Sequence, residues 1–576
     1  MAKNEARGEE ALFGADKLPL NEYPRPQFMR PSWLNLNGVW EYGVYPIDRE
    51  PETLEGKILV PFSPETQLSG VEQAPGPGER AWYARSFTLP EGFFKSRLLL
   101  NFGAVDQVCQ VYVNGHRVGG HEGGYTPFTL DITRFIRPEA ENRLTVCTED
   151  RTELGAGTYG KQSMTPGGIW YTAQSGIWQT VWLESVPVEY IRELELIPDP
   201  EQEQVLLRIP EGGGTEYAVF ASGKRLCTGS FSSDGSAVVR LPGCVRWTPE
   251  EPFLYDILLK KGDDLVKSYF AMRNVRREGN QLLLNGKPLR LAGLLDQGYW
   301  PEGLYTAPTD EDFVRDIRAA KEMGFNLLRK HVKVEPLRWY YHCDRLGMLV
   351  MQDIPNGGDS YSPFWTRDLP VALGAQLRDR PYGRYGRRYE RGRTRFEAEL
   401  EEIVHTLKNS PCILAWTLFN EGWGQFDTRR LTEKLRELDP TRLVDSASGW
   451  HDQGCGDFCS RHIYFRRLKL RADGRISAIT ECGGYGLDLD GSGDGTFSYR
   501  KAKSPGELEG LMEKLYRDQL MPLKGQGLSC CVYTQLTDVE QERNGLLTAA
   551  RDPKVDVQRI RELNEAWLRE DESMRE

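Results

Sequence analysis

A chain of 576 residues is too long for one hydrophobic core and implies about three domains. Its net charge of −11 argues against a nucleic-acid partner, and no apolar run approaches the ~20 residues of a membrane span. The charged start, Met1 to Arg7, has no apolar leader segment, so a cytoplasmic protein is expected. The 11 cysteines are odd in number and scattered, and Cys147, Cys412, Cys530 and Cys531 sit inside apolar runs. Buried free thiols in a reducing compartment account for them. Cys455 and Cys459 lack the spacing and the second pair of a zinc site, so neither metal nor cofactor is expected. Aromatics make up 11% of the chain, with 14 Trp and 25 Tyr, a supply of flat rings suited to stacking on sugar faces as well as to filling β-sandwich cores.

Residues 1–185 read as a first domain of short β-type runs separated by Gly, Pro and Asn, such as Gly38 to Tyr42, Ala81 to Phe87 and Arg97 to Phe102. Asn114-Gly115 between Val111-Tyr112-Val113 and His116-Arg117-Val118 is a hairpin signature. Many strands and hardly any helical period predict a jelly-roll β-sandwich. The stretch Thr152 to Gln179 lacks periodicity and carries Trp170, Tyr171 and Trp178; it either reaches the functional site or packs its rings under the next domain. Residues 186–274 continue in alternating runs, among them Gln204 to Ile209 and Tyr255 to Leu259, which fit an immunoglobulin-like sandwich acting as a spacer.

Over residues 275–576 strands alternate with helices, the signature of a parallel sheet. Eight strands are predicted: Leu289 to Leu294, Asn326 to Arg329, Met348 to Gln352, Ile413 to Asn420, Leu443 to Ser446, His462 to Phe465, Ile476 to Glu481 and Leu528 to Gln535. Thr309-Asp310-Glu311-Asp312 opens a helix with a capping-box-like sequence, and Phe313, Ile317, Ala320 and Met323 form its apolar stripe. Eight such strands predict a (β/α)₈ TIM barrel, whose functional groups gather at the C-terminal tips of the strands. Asp296, Arg329, His331, Asp353, Asn420, Glu421, Trp423, His462, Tyr464, Glu481, Tyr533 and Gln535 all fall at or near such tips.

Two of these tips end buried apolar runs in a glutamate, Glu421 after Leu414 to Asn420 and Glu481 after Ile476 to Thr480. Two carboxylates facing one pocket are what glycoside hydrolysis needs: an acid for the leaving oxygen and a nucleophile or base for the sugar carbon. Spacing alone leaves their roles open. Asn420 is placed to donate to the sugar hydroxyl beside the anomeric carbon, and Arg329 and Tyr464 to hold the nucleophile ionised.

These residues resemble family 2 of the glycoside hydrolases, the group containing β-galactosidases and β-glucuronidases. The resemblance rests on Leu34 to Trp40, Val113-Asn114-Gly115, Gly123 to Phe128, Gly167 to Trp170 and Ser175 to Trp178 in the first domain. In the barrel it rests on Leu284 to Pro288, Gly324 to Arg329, Cys343 to Gly347 and Asn420-Glu421. It implies that Glu421 is the acid/base and Glu481 the nucleophile. The position after the nucleophile, usually aromatic in the family, is Cys482, and the Asn-x-Lys motif of glucuronidases is replaced by Glu542-Arg543-Asn544-Gly545, without the lysine. The magnesium-ligand pattern of large β-galactosidases is not evident. The expected activity is therefore that of a retaining, exo-acting β-galactosidase. A β-glucuronidase, galacturonidase or furanosidase is the alternative within the same chemistry, and a carbohydrate-binding protein with an inactive barrel the alternative of another class. Carbohydrate is the expected partner, with homo-oligomerisation left open. Eight arginines between Arg378 and Arg395, around Tyr382, Tyr385 and Tyr389, form either a solvated or subunit-contacting loop or a lid that selects acidic groups.

Overall fold

The computed structural model describes residues 18–155, 157–489 and 495–569; the charged start of the chain lies outside them. Residues from Trp33 to Val186 form two antiparallel sheets. One has four strands, in the order Trp33–Asn35, Val181–Val186, Arg97–Phe102 and Phe128–Asp131. The other has six, in the order Gly56–Val60, Gly38–Pro46, Glu79–Phe87, Asn142–Glu149, Val108–Val113 and His116–Glu122. Trp40, Tyr42, Tyr83, Leu100, Val111, Val146 and Leu183 fill the space between them. The Asn114-Gly115 turn closes the predicted hairpin with both residues left-handed, φ 51° and 81°.

Seven strands between Glu195 and Phe270 make the second sandwich, a three-stranded sheet facing a four-stranded one over Val205, Val219, Val239 and Ile257. The two sandwiches are tied by Arg30. Its guanidinium is 2.7 Å from Glu184 of the first and 2.9 Å from Asp264 of the second, all three buried.

The remaining chain forms an eight-stranded parallel barrel. Its strands, in chain order, are Leu291–Asp296, Leu327–Lys330, Leu349–Asp353, Ile413–Thr417, Leu443–Asp445, Phe458–Ile463, Ile476–Gly483 and Leu528–Thr534. Neighbours pair in parallel all round except between the fifth and sixth. There the seam is closed by single contacts. Asp457 N–H donates to Val444 O at 2.7 Å, its carboxylate accepts from Val444 N–H at 2.9 Å, and Ser460 Oγ donates to Asp445 at 2.7 Å. The sixth strand begins four residues before the predicted His462, because Ser460 and Arg461 interrupt the apolar pattern while one of them serves this seam. Helices follow the first four strands and the last two, but among the described residues none follows the fifth or sixth. The first helix, Asp310–Glu322, has the predicted capping box between Thr309 and Asp312. The helix expected from Phe396 starts earlier, at Glu390, so it takes in the last arginines of the Arg-rich stretch.

Leu295, Met351, Ala415, Phe458, Ala478 and Val532 fill the barrel, and Trp247, Val275 and Leu282 pack into the same cluster. The cysteines are all free, and among the described residues no helix is long and apolar enough to cross a membrane.

Candidate active site

The fourth strand carries Glu421 into the barrel mouth by leaving regular structure. Asn420 bridges to Ser448, and Glu421 N–H donates to Ser448 O at 3.0 Å. Glu421 then turns left-handed, φ 50°, followed by Gly422 at 77°. A non-glycine residue held there stores on the order of 1 kcal/mol. Gly422 is required: a Cβ would stand 2.6 Å from the His451 ring.

Glu481 reaches the same mouth by a different device. Ile476 and Ala478 point into the barrel and Ile479 points out, so strict alternation would send residue 481 outward. Pairing with the sixth strand jumps from Ile479 to Glu481, leaving Thr480 as an extra residue. That bulge reverses the phase and aims the carboxylate inward. Cys482 is thereby turned away from the pocket, its Sγ 3.5 Å from Val532 O in the layer between barrel and helices.

The two carboxylates meet at His462. Its Nδ1 lies 2.8 Å from Glu421 Oε1 and 3.3 Å from Glu481 Oε2. Ligand-type atoms of the three residues fall within 4.8 Å of one another. Arg329 Nη1, which can only donate, lies 3.2 Å from His462 Nε2. The imidazole proton is therefore on Nδ1 and donates to Glu421.

Arg329, fully buried, organises the floor. It forks onto Asp353 at 3.0 and 2.9 Å, reaches Glu481 at 3.0 Å and holds Asn420 Oδ1 at 2.7 Å. That last bond orients the Asn420 amide and leaves its Nδ2 a buried donor without a partner. Tyr464 donates to Glu481 at 2.5 Å and is stacked on Tyr499.

Environment separates the carboxylates. Burial pushes Glu421 up to about 7, against the pull of Lys161 and Arg329. Burial also raises Glu481, and the charge of Glu421 adds to this, but Arg329 and Tyr464 bind it directly and oppose the rise. Burial takes His462 down to about 3, so the imidazole is neutral. Burial favours the protonated form of Glu421, while direct donation by Arg329 and Tyr464 favours the ionised form of Glu481.

Other predicted residues divide. His331 Nδ1 meets Gln297 Oε1 at 2.9 Å, and Gln297 Nε2 donates to Gln535 at 2.6 Å. His331 Nε2 and Gln535 Nε2 are buried and make no hydrogen bond, His331 Nε2 lying 3.6 Å from Glu481 Oε1. The Trp423 ring lies 6.2 Å from His331 and 5.0 Å from Trp170. Trp170 comes from the first sandwich, so the long loop does reach the site, while its Tyr171 and Trp178 are buried. Two residues need correction. Asp296 is committed to a buried ion pair with Lys330, 2.7 Å, and to Gly298 N–H, 3.0 Å. Tyr533 points out of the barrel, its hydroxyl accepting from Tyr485 N–H at 3.2 Å, because Val532 and Thr534 take the inward positions. Thr534 instead meets Tyr464 at 2.9 Å.

The arginine-rich stretch divides: Arg378, Arg380, Arg388 and Arg391 are exposed, while others pack. Arg387 is buried, donates to Gly424 O at 2.9 Å and lies over Phe396; Arg384 covers Trp365 and Arg393 covers Tyr382. Among the described residues Glu421, His462 and Glu481, and separately Asp452, Cys459 and Asp473, have metal-ligand spacing. Hydrogen bonds already engage both sets: His462 donates into the first, and Arg475 binds both carboxylates of the second.

Sequence reasoning did not find Lys161, Tyr171 and Glu542 as a unit. Lys161 Nζ is 3.3 Å from Glu542, to which the Tyr171 hydroxyl also donates. The signal available was a lysine inside the long aromatic loop Thr152 to Gln179.

Residues 70–187 match the profile of "Glycosyl hydrolases family 2, sugar binding domain", and residues 275–471 that of "Glycosyl hydrolases family 2, TIM barrel domain". A β-galactosidase of Thermoanaerobacter pseudethanolicus is 25% identical over 398 residues, which are 63% of this chain and 48% of that protein. The chain thus spans about half the length of that relative. Among solved structures, a β-D-glucuronidase of Dictyoglomus thermophilum superposes with a TM-score of 0.74 at 19% identity, covering 95% of this chain and 99% of that one. A β-galacturonidase of Eisenbergiella tayi bound to galacturonate gives 0.70 at 19% identity, over 94% and 99%. At these identities the superpositions speak for the fold.

Proposed function

The chain belongs to family 2 of the glycosyl hydrolases, and from that premise we infer that it is a retaining β-glycosidase releasing a sugar, in the first place a β-galactoside, from a non-reducing end. The observation that carries this is the pair Glu421 and Glu481, with oxygens within 4.8 Å across His462 and in unlike environments. That gap is near the ~5 Å of double displacement and short of the ~6.5–9.5 Å that inverting enzymes leave for the attacking water.

Glu481 attacks the anomeric carbon while Glu421 gives its proton to the departing oxygen, so an ester to Glu481 forms as the glycosidic bond breaks. Glu421, now ionised, takes a proton from water, which attacks the same carbon and releases Glu481. Asn420 Nδ2 is oriented by Arg329 to bond the hydroxyl next to that carbon. Exo action is supported by enclosure: Glu421 is 7% and Glu481 4% exposed, walled by Trp170 and Trp423, so a chain end enters more readily than a chain interior.

A panel of p-nitrophenyl β-glycosides tests the reading, with proton NMR of the first-formed anomer. The expected product is the β-anomer, and Glu481→Gln should lose at least about a thousandfold in kcat. A first-formed α-anomer, or a Glu481→Gln variant as active as wild type, refutes the mechanism. Failure of every glycoside with the wild type favours an inactive carbohydrate-binding barrel.

A further inference from the structure

One buried ion pair at the site has no part in the two-carboxylate chemistry. Lys161 is 3% and Glu542 1% exposed, with their charges 3.3 Å apart. Tyr171 donates its hydroxyl to Glu542 and accepts from Lys161 at 3.1 Å, while Asn544 Nδ2 donates to the other Glu542 oxygen at 3.0 Å. Both oxygens of the carboxylate are therefore engaged. The pair belongs to the pocket. Asn544 O accepts from Gln535 N–H at 3.2 Å, and Tyr171 follows Trp170, whose ring lies 5.0 Å from Trp423. Among the described residues, neutral atoms here that make no hydrogen bond include Gln535 Nε2, Asn544 Oδ1 and His331 Nε2, the last 3.6 Å from Glu481 Oε1.

An unpaired ammonium in such a wall would draw a sugar carboxylate. Here Glu542 already neutralises it. A second anion would meet Glu542 with Lys161 already paired, in a setting where uncompensated charge is costly. Hydroxyl groups, by contrast, match the unpaired amides and imidazole. We propose that Glu542 is a specificity-determining residue which, by neutralising Lys161, fits the pocket to a neutral sugar and excludes a uronic acid. This rests on the glycosidase reading and names its substrate class.

The test compares kcat/KM for p-nitrophenyl β-D-galactoside and β-D-galacturonide. Wild type should favour the galactoside at least a hundredfold. Glu542→Gln keeps the shape of the side chain, frees Lys161 and should narrow the ratio at least tenfold. Lys161→Met, which leaves Glu542 uncompensated, should widen it at least tenfold, and serves as the deciding variant if Glu542→Gln does not fold. A wild type that prefers the galacturonide, or a ratio that neither variant moves, overturns the proposal. Calorimetry with free galactose and free galacturonate reads the same discrimination without turnover. Discrimination that shifts as stated in a protein that cleaves nothing refutes the hydrolase and upholds this role for Glu542. Normal turnover with unmoved discrimination does the reverse.

Discussion

Replacing Glu421 by Gln should make the protein more stable while disabling it. Burial holds the Glu421 carboxyl at about 7 in the folded chain, against 4.5 when solvated. The folded state thus binds the proton more tightly than the unfolded state, and stability is lost as pH rises from 4.5 towards 7. At 1.36 kcal/mol per tenfold difference in proton affinity, the ionised carboxylate costs the folded state about 3 kcal/mol at pH 8 and under about 1 kcal/mol at pH 5. Gln carries no charge at either pH, and its Oε1 can still accept from His462 Nδ1. For a barrel of this size the gain at pH 8 corresponds to about 3–5 °C in Tm. Differential scanning calorimetry of wild type and Glu421→Gln at pH 5 and pH 8 measures the difference. A Tm gain at pH 8 no greater than at pH 5, or a loss at both, refutes the assignment of Glu421 as the carboxyl kept protonated by burial. The same titration predicts that wild-type kcat/KM falls as pH rises above about 7, where the acid is lost.

Tyr464→Phe removes the 2.5 Å donor to Glu481. The nucleophile should then be easier to protonate, so the acidic limb of the kcat/KM profile moves to higher pH and kcat falls about tenfold or more; an unmoved limb argues against Tyr464 as the group holding Glu481 ionised. Arg30→Met strands Asp264 and weakens the setting of Glu184 between the two sandwiches. Urea unfolding should show a loss of about 3–5 kcal/mol, and a loss below about 1 kcal/mol would mean that the clamp is not what joins them.

Period-two runs punctuated by Gly and Asn mark strands because side chains alternate faces. That local rule sufficed for the Asn114-Gly115 hairpin and for eight barrel strands in nearly their observed places. It also singled out Glu421 and Glu481, each ending an apolar strand, and the structure brings the two together at His462. The same rule fails where the phase is broken. The extra residue at Thr480 decides which side of the seventh strand faces the pocket, and Tyr533 looks like a rim residue until its neighbours claim the inward positions.

Charge pairing was hidden for a different reason. Asp296 is spent on Lys330, and Glu542 is joined by Lys161 across 381 residues of chain. The sequence by itself determined the fold class and the strand-end positions of the two glutamates, because hydrophobic period and strand-end polarity are written locally. Only the tertiary structure supplied the unlike environments of the two glutamates and the ion pair of Lys161 with Glu542. Proton affinity depends on burial and on charges a few ångströms away, and those are brought together from distant segments only when the barrel and the first sandwich close on one another.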